Sequence, residues 1–250
     1  MMITFEEIRK NLDIKTYIKK SDDALSVLGF TEHSFSHVLK VSDAAAYILT
    51  TLGYSDREVE LVKIAGYMHD IGNLVNRIEH SQSGAVMAFR ILDKLGMETE
   101  DLSDVIAAIG NHDEGTGVPI SPNAAALILA DKSDVRRSRV RNRNVDAFDI
   151  HDRVNYSVQS AELKIDEERK NITLLLRIDD SFSSVMEFFE IFMERMILCR
   201  KAAEKLQLRF QLNINGQNLI CDALMSEERS FTDNQQNNTC NRNGCKCTFI

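Results

Sequence analysis

The amino-acid sequence predicts a mainly α-helical bundle followed by a small α+β unit in the order strand, strand, helix, strand. Three observations carry this. Apolar residues recur at three and four positions through about the first 140 residues; the period changes to two after about residue 154; and the chain's two prolines fall together in one loop.

Taken in order, Val38, Val41, Ala45, Ile48 and Leu52 trace one helical stripe, and Leu61, Ile64 and Met68 a second. Gly29, Gly53 and Gly96 fall just past such stretches, where a residue free of a Cβ ends a helix most easily. GTGVPISPN, residues 115–123, holds both prolines and reads as a loop. NYSVQSAELKID alternates with a shift of parity between Val158 and Ala161, the pattern of a bulged strand. NITLLLRID places Ile172, Leu174, Leu176 and Ile178 on one face of a strand. A long amphipathic helix comes next with Val185, Phe188, Phe192, Met196, Cys199, Ala203 and Leu206 inward, and RFQLNING closes as a strand through Phe210, Leu212 and Ile214. The chain therefore divides into a helical domain at 1–152, an α+β unit at 153–225, and a polar Asn/Gln-rich tail at 226–250 that reads as disordered.

A formal charge of −8 argues against a general nucleic-acid binder. No apolar run approaches the roughly 20 residues that cross a bilayer, and the N-terminus lacks a signal-peptide core, so no membrane and a cytoplasmic location are expected. Five cysteines, an odd number with three crowded at Cys240, Cys245 and Cys247, suit reduced thiols rather than a disulfide framework.

Against this background one class of residue stands out. His37 heads the stripe through Val41, Ala44 and Ile48; His69 lies four after Ala65 and Asp70 four after Gly66; His80 leads Gly84, Met87 and Ile91; His112 follows Val105 and Ile109; Asp131 lies four after Leu127. Each alone fits a hydrogen-bonded core residue. Asp131 resists that reading most, because a carboxylate on an apolar face costs several kcal/mol unless paired or on a metal. Six such residues on inward faces and helix ends satisfy one another by sharing a cation, and mixed imidazole and carboxylate ligands suit Fe, Mn, Zn or Ni, with Mg a further candidate.

The order His37, His69–Asp70, Asp131 resembles the HD superfamily of metal-dependent phosphohydrolases over about residues 30 to 140, and His80 and His112 resemble the extra histidines of its dinuclear branch. The resemblance implies two divalent ions, one on His37, His69, Asp70 and Asp131, the other on His80 and His112 with Asp70 bridging. It implies hydrolysis of a phosphoester or phosphoanhydride by metal-bound hydroxide, positioned by Asp70 and Asp131, on a nucleotide or another small phosphorylated metabolite. Asn73 stands where many relatives carry a phosphate-holding lysine, and Asn111 and Val118 depart from the cyclic-dinucleotide phosphodiesterase pattern.

The basic run beginning just after Asp131 matches phosphate. Lys132 adjoins the ligand and could replace the lysine absent at 73, and Arg136, one turn on, could fork onto a phosphate. Catalytic roles are thus expected for Asp70, Lys132 and Arg136. Asp113 and Glu114 could orient ligands or act as the acid; His33, four before His37, reads as a residue just behind the ligands or at the surface; His151 and Asp152 form a second His–Asp pair outside the helical pattern, a structural junction that could reach the pocket through Arg153. The α+β unit reads as a packing or dimerisation module, which leaves a homodimer open. Two other functions fit the same residues: a di-iron oxygenase on the same ligands, and a non-catalytic nucleotide-sensing regulator.

Overall fold

The structure, a computed structural model, describes residues 2–220; the tail at 226–250 and its cysteines lie outside the described residues. Seven helices precede residue 134: α1 (Phe5–Lys10), α2 (Leu12–Val27), α3 (Phe35–Leu52), α4 (Asp56–Met68), α5 (His80–Lys94), α6 (Thr99–Gly110) and α7 (Pro122–Ser133). Their ends obey local chemistry. Thr4 and Ser55 close capping boxes with Glu7 and Glu58, satisfying amides that a helix start leaves bare. Ser121 caps α7 with Pro122 in its first turn, where the missing N–H costs nothing. Gly53 ends α3 at φ 83°, as its position past the stripe predicts.

The second part begins with α8 (Ile150–Ser157), a short helix where the sequence suggested only a junction, with Asp149 as its N-cap. Then come β1 (Val158–Ile165), β2 (Asn171–Ile178), α9 (Val185–Lys205), β3 (Arg209–Ile214) and β4 (Gln217–Ile220). The sheet order is β1-β2-β3-β4, antiparallel, parallel and antiparallel in turn, with α9 as the crossover between the parallel pair. The expected bulge is present, as a register shift between Val158 and Ser160. A fourth strand, β4, extends the expected ββαβ order.

One hydrophobic core joins both parts. It runs from Ile8 and Ile14 through Val41, Ile64 and Ile128 to Phe188, Leu174 and Phe210, all fully buried or nearly so. Helix α7 is the centre of this packing: residues Asn123 to Ala130 are buried all round, with α3 on one side and α9 on another. That burial fixes where α7 ends, and its last turn carries Asp131. Among the described residues no helix is long and apolar enough to cross a membrane.

Candidate metal centre

All six residues expected as ligands meet at one buried point, and all six sit at helix ends. His37 lies in the first turn of α3, His69 caps the end of α4, and Asp70 (φ −96°, ψ 0°) starts the 3-10 turn Ile71–Leu74. His80 opens α5, His112 lies two residues past α6, and Asp131 is in the last turn of α7. Two glycines let these ends converge. A Cβ on Gly66 would lie 3.0 Å from the Ser42 Cα, so α3 and α4 pack in close contact and the His37 and His69 rings come within 5.2 Å. A Cβ on Gly72 would collide with the His80 carbonyl oxygen, so the 3-10 turn seats directly on the start of α5.

Helix ends also supply unused carbonyls, and the histidines use them. His69 Nδ1 lies 2.7 Å from the Gly66 oxygen, His80 Nδ1 3.1 Å from that of Arg77, and His112 Nδ1 2.7 Å from that of Ile109. His37 Nδ1 lies 2.8 Å from the Asp134 carboxylate. Each partner can only accept, so Nδ1 carries the proton in all four rings. The neutral tautomer then leaves a bare Nε2 lone pair, the arrangement that orients metal-ligating histidines.

Those four lone pairs face each other and two carboxylates. Asp70 Oδ2 is 3.5 Å from His37 Nε2 and 3.1 Å from His69 Nε2, while its Oδ1 is 3.4 Å from His80 Nε2. Asp131 Oδ1 is 3.3 Å from His37 Nε2 and 3.6 Å from His69 Nε2. His80 and His112 bring Nε2 to Nε2 at 3.2 Å. Acceptors pointed at acceptors repel, and His37 Nε2, His69 Nε2 and Asp70 Oδ2 are buried without a hydrogen-bond partner. A cation relieves all of this at once. Three sets place ligand atoms within 4.8 Å of one another: His37, His69 and Asp70; His69, His112 and Asp131; and Asp70, His80 and His112. Imidazole and carboxylate donors together fit a divalent transition ion.

The protonation directions agree. Burial opposes charge on His69, but Asp70 and Asp131 beside it prevail and push it up to about 10, so in the absence of metal a proton takes the cation's place. Burial would raise Asp70, yet His69 and His37 hold it well below the usual carboxylate range. His112 is driven down by burial and by the positive charge of His69 and Lys132, so its lone pair stays available.

The basic run after Asp131 behaves differently from its sequence reading. Helix α7 stops at Ser133, and Asp134, 1% exposed, becomes an anionic hub. It accepts from His37 Nδ1, from Lys40 Nζ at 2.8 Å and from Arg136 Nε at 2.9 Å, with Arg139 NH1 at 3.7 Å. Arg136 spends its remaining donors on Ser138, Ser36 and Glu32. It is therefore not brought to the cavity beside the ligands; Arg139 is. Lys132 is brought there, 2.7 Å from Asp131 Oδ2 and 2.9 Å from Glu114 Oε2, with one ammonium donor left over. Glu114 also accepts from Arg195 Nε of α9 at 2.6 Å. Burial opposes its ionisation, but Lys132 and Arg195 keep it far below the usual range, so it is an ionised clamp and unfit to be an acid. Asn73 donates to Asp70 Oδ1 at 2.8 Å and accepts from Arg77 at 3.3 Å, so this residue orients the shared carboxylate.

A cavity of about 280 Å³ opens from this point. Its floor includes Asp70, His80, Asp131 and Lys132; Arg77, Arg139 and Arg195 also line it. Three further features lie on its wall. His33 faces it, with Nδ1 held by the Thr31 carbonyl at 2.7 Å. Asp149, His151, Asp152 and Asn155 of the α8 segment line it, and so does α9 through Phe192 and Arg195. The i, i+4 spacing of His33 and His37, and the D-x-x-D of Asp131 and Asp134, were the available signals; Arg195 offered none.

The HD domain family model matches residues 34–136. The chain is similar to the uncharacterized protein MJ1020 of Methanocaldococcus jannaschii, 26% identical over 188 residues, 66% of this chain and 72% of that protein. It is also similar to the crystal structure of a "predicted HD superfamily hydrolase" from an uncultured Thermotogales bacterium, at TM-score 0.40 and 22% identity, over 50% of this chain and 67% of that one.

Proposed function

Residues 34–136 are an HD domain, and from that premise we propose that the protein is a metal-dependent phosphohydrolase acting on a phosphoester or phosphoanhydride of a nucleotide or other small phosphorylated metabolite. One observation carries this reading: of four histidines with Nδ1 fixed on an acceptor, His37, His69 and His80 turn Nε2 toward a single shared carboxylate, Asp70, and His112 turns Nε2 toward that of His80.

In this reading His37, His69, Asp70 and Asp131 would hold one ion, and His80 and His112 would hold a second that shares Asp70. Fe, Mn, Zn or Ni match the donors best. Two such ions supply Lewis-acid activation of water and neutralise a phosphoryl group.

The chain's own residues do the rest. Asn73 fixes the rotamer of Asp70, and Lys132 that of Asp131. The spare donor of Lys132 and the guanidinium forks of Arg77, Arg139 and Arg195 bind phosphoryl oxygens; Arg195 spends only Nε on Glu114, leaving both terminal nitrogens for substrate. Two of these arginines lie over rings, Arg77 5.5 Å from the Phe30 centroid and Arg195 4.4 Å from that of Phe192, so their planes are held before a substrate arrives. Four cationic side chains gathered in one cavity, Arg77, Lys132, Arg139 and Arg195, suit an anionic substrate better than the apolar substrate and dioxygen of an oxygenase.

The test is a purified protein, analysed for bound metal and screened with Mn against phosphomonoesters, phosphodiesters and nucleoside polyphosphates, with oxygen uptake measured in parallel. Phosphate release without oxygen uptake, abolished by His69→Ala and Asp70→Ala in proteins that keep their helical circular dichroism, is the expected result. Variants with wild-type rates would overturn the assignment.

A further inference from the structure

Carboxylates line both ends of the cavity, whereas its cations keep away from the open end. At the buried end lie Asp70, His80, Lys132 and Arg139, none more than 5% exposed. At the open end lie the exposed side chains of Asp149 and His151, with Asp152 half-buried and Asn155 buried behind them along α8. Asp70 Oδ2, buried and unpartnered, marks the floor as a place for a ligand. The cations of the cavity thus lie away from its open end, where the charged side chains are the carboxylates of Asp149 and Asp152.

We infer that α8 is the specificity wall of this site, selecting phosphomonoesters whose other half carries hydroxyl or amine donors and rejecting those with a second anionic group. This rests on the phosphohydrolase reading above. The hydrogen-bonding inventory supports it. Asp149 Oδ1 caps the amide of Asp152, and Asp152 Oδ2 accepts weakly from Asn142 at 3.3 Å; one oxygen of each carboxylate is left. Asn155 donates to the His151 carbonyl, which leaves its own side-chain oxygen as an acceptor. The wall that α8 presents is therefore made largely of acceptors. Carboxylates accept only, so they bind vicinal hydroxyls or an amine and repel phosphate. Burial raises the Asp152 carboxyl above its usual value; the hydrogen bond from Asn142 opposes this and the neighbouring Asp149 adds to it. The volume of about 280 Å³ holds one sugar or nucleoside unit with its phosphate, which names the shared chemistry as a polyhydroxylated phosphomonoester.

The experiment compares, with the Mn-loaded full chain, a nucleoside 5′-monophosphate, a pentose phosphate, and the 3′,5′-bisphosphate of the same nucleoside. The wild type prefers at least one monophosphate over the bisphosphate by roughly tenfold or more in kcat/KM. Which monophosphate is preferred separates nucleoside from sugar. The double variant Asp149→Asn, Asp152→Asn keeps the helix cap, since Asn also caps, and lowers that preference to within about threefold, chiefly through a lower KM for the bisphosphate. Asp152→Asn alone, whose amide oxygen can still accept from Asn142, gives an intermediate ratio. An unchanged ratio in both folded variants, or a wild type indifferent to the second phosphate, overturns the inference. If no phosphate ester is turned over, the hydrolase reading fails separately, and calorimetric binding of the same three compounds to wild type and variants decides the role of α8.

Discussion

Asp134 offers the sharpest test of how the centre is held. It is not a ligand, yet it fixes His37, and Asp134→Asn removes one charge without changing its size. The carboxylate has His37 Nδ1 on one oxygen and Lys40 and Arg136 on the other, each at 2.8 or 2.9 Å. An asparagine must turn its amide nitrogen to one side or the other. Turned to His37 it meets another donor and forces the ring's proton onto Nε2, where a metal would bind. Turned outward it faces two cations: Lys40, with a side chain 43% exposed, swings away easily, and Arg136 keeps Glu32 and Ser36 as partners; Arg139, 5% exposed beside the other oxygen, loses the negative charge it lies against. The outward orientation wins, and the cost is the low end of the range for stranding a buried charge, about 3 kcal/mol. At roughly 2–4 °C per kcal/mol for a chain of this size, that is about 6–12 °C in Tm. Metal affinity falls about 10–100-fold, the usual effect of losing the carboxylate that orients a ligating histidine. The pH dependence separates this account from generic destabilisation. Burial opposes ionisation, but His37 and Arg139 hold the Asp134 carboxyl well below its usual value. Its folded pKa is thus depressed, so its stabilisation is complete above the unfolded value near pH 4 and is lost as pH falls through the folded value. Melting of chelator-treated protein should show the wild-type advantage in full at pH 7 and shrinking below about pH 4. A Tm difference that is constant from pH 7 down to pH 3, or a variant with unchanged metal affinity, would refute the reasoning.

The same geometry sets four further outcomes. Gly72→Ala drives a Cβ into the His80 carbonyl and should cost about 1–3 kcal/mol and part of the bound metal, while Gly110→Ala, with its nearest neighbour at 3.6 Å, should be silent; denaturant melts with metal analysis compare them. Arg195→Ala should lower kcat/KM about 10–100-fold, in line with one lost charged hydrogen bond, with metal content unchanged, as steady-state kinetics on the wild type's best substrate would show. Burial pushes the Cys199 thiol up to about 12, so iodoacetamide at pH 8 should label it, by peptide mapping, only after denaturation. A divalent ion at a hundredfold its Kd should add about 2.7 kcal/mol of stability, and His69→Ala should abolish that gain in a thermal melt.

The boundary between legible and hidden features falls at the ends of helices. The convergence of the candidate ligands was readable because each lies inside or one turn from an apolar stripe, so its side of the helix is dictated by buried residues such as Val41, Ala65 and Leu127. The strands were readable for the same reason: Ile172, Leu174, Leu176 and Ile178 alternate, and all are buried. Arg136 shows where that logic stops. Counting four or five residues from Asp131 assumes the helix goes on, but α7 ends at Ser133, Asp134 takes ψ 65°, and Arg136 is extended at φ −160°, ψ 147°. Once the period is broken, direction is set by partners. Asp134 captures Arg136, and Arg139, three residues later, reaches the cavity through the 3-10 turn Arg137–Arg139. Helix α8 was missed because only Ile150 and Val154 mark its apolar side over eight residues, too few for a stripe.

Long-range pairing sets the deeper limit. Arg195 reaches the site through Glu114, 81 residues away in sequence, and that pair exists because α9 packs along α7 within one continuous core. No local pattern in EFFEIFMERMILCR distinguishes Arg195 from Arg200, which instead borders an apolar surface groove with Met193 and Ile197. Both arginines sit on the same helix, and the choice between them is made by which partner the fold delivers. Hence the C-terminal unit, which in sequence shows only packing periodicity, contributes a guanidinium and the wall formed by α8 to the cavity beside the candidate metal centre. A chain ended after α7 would keep every proposed ligand and lose Arg195, Phe192 and all of α8, retaining a centre with donors but without the residues that would select what reaches it.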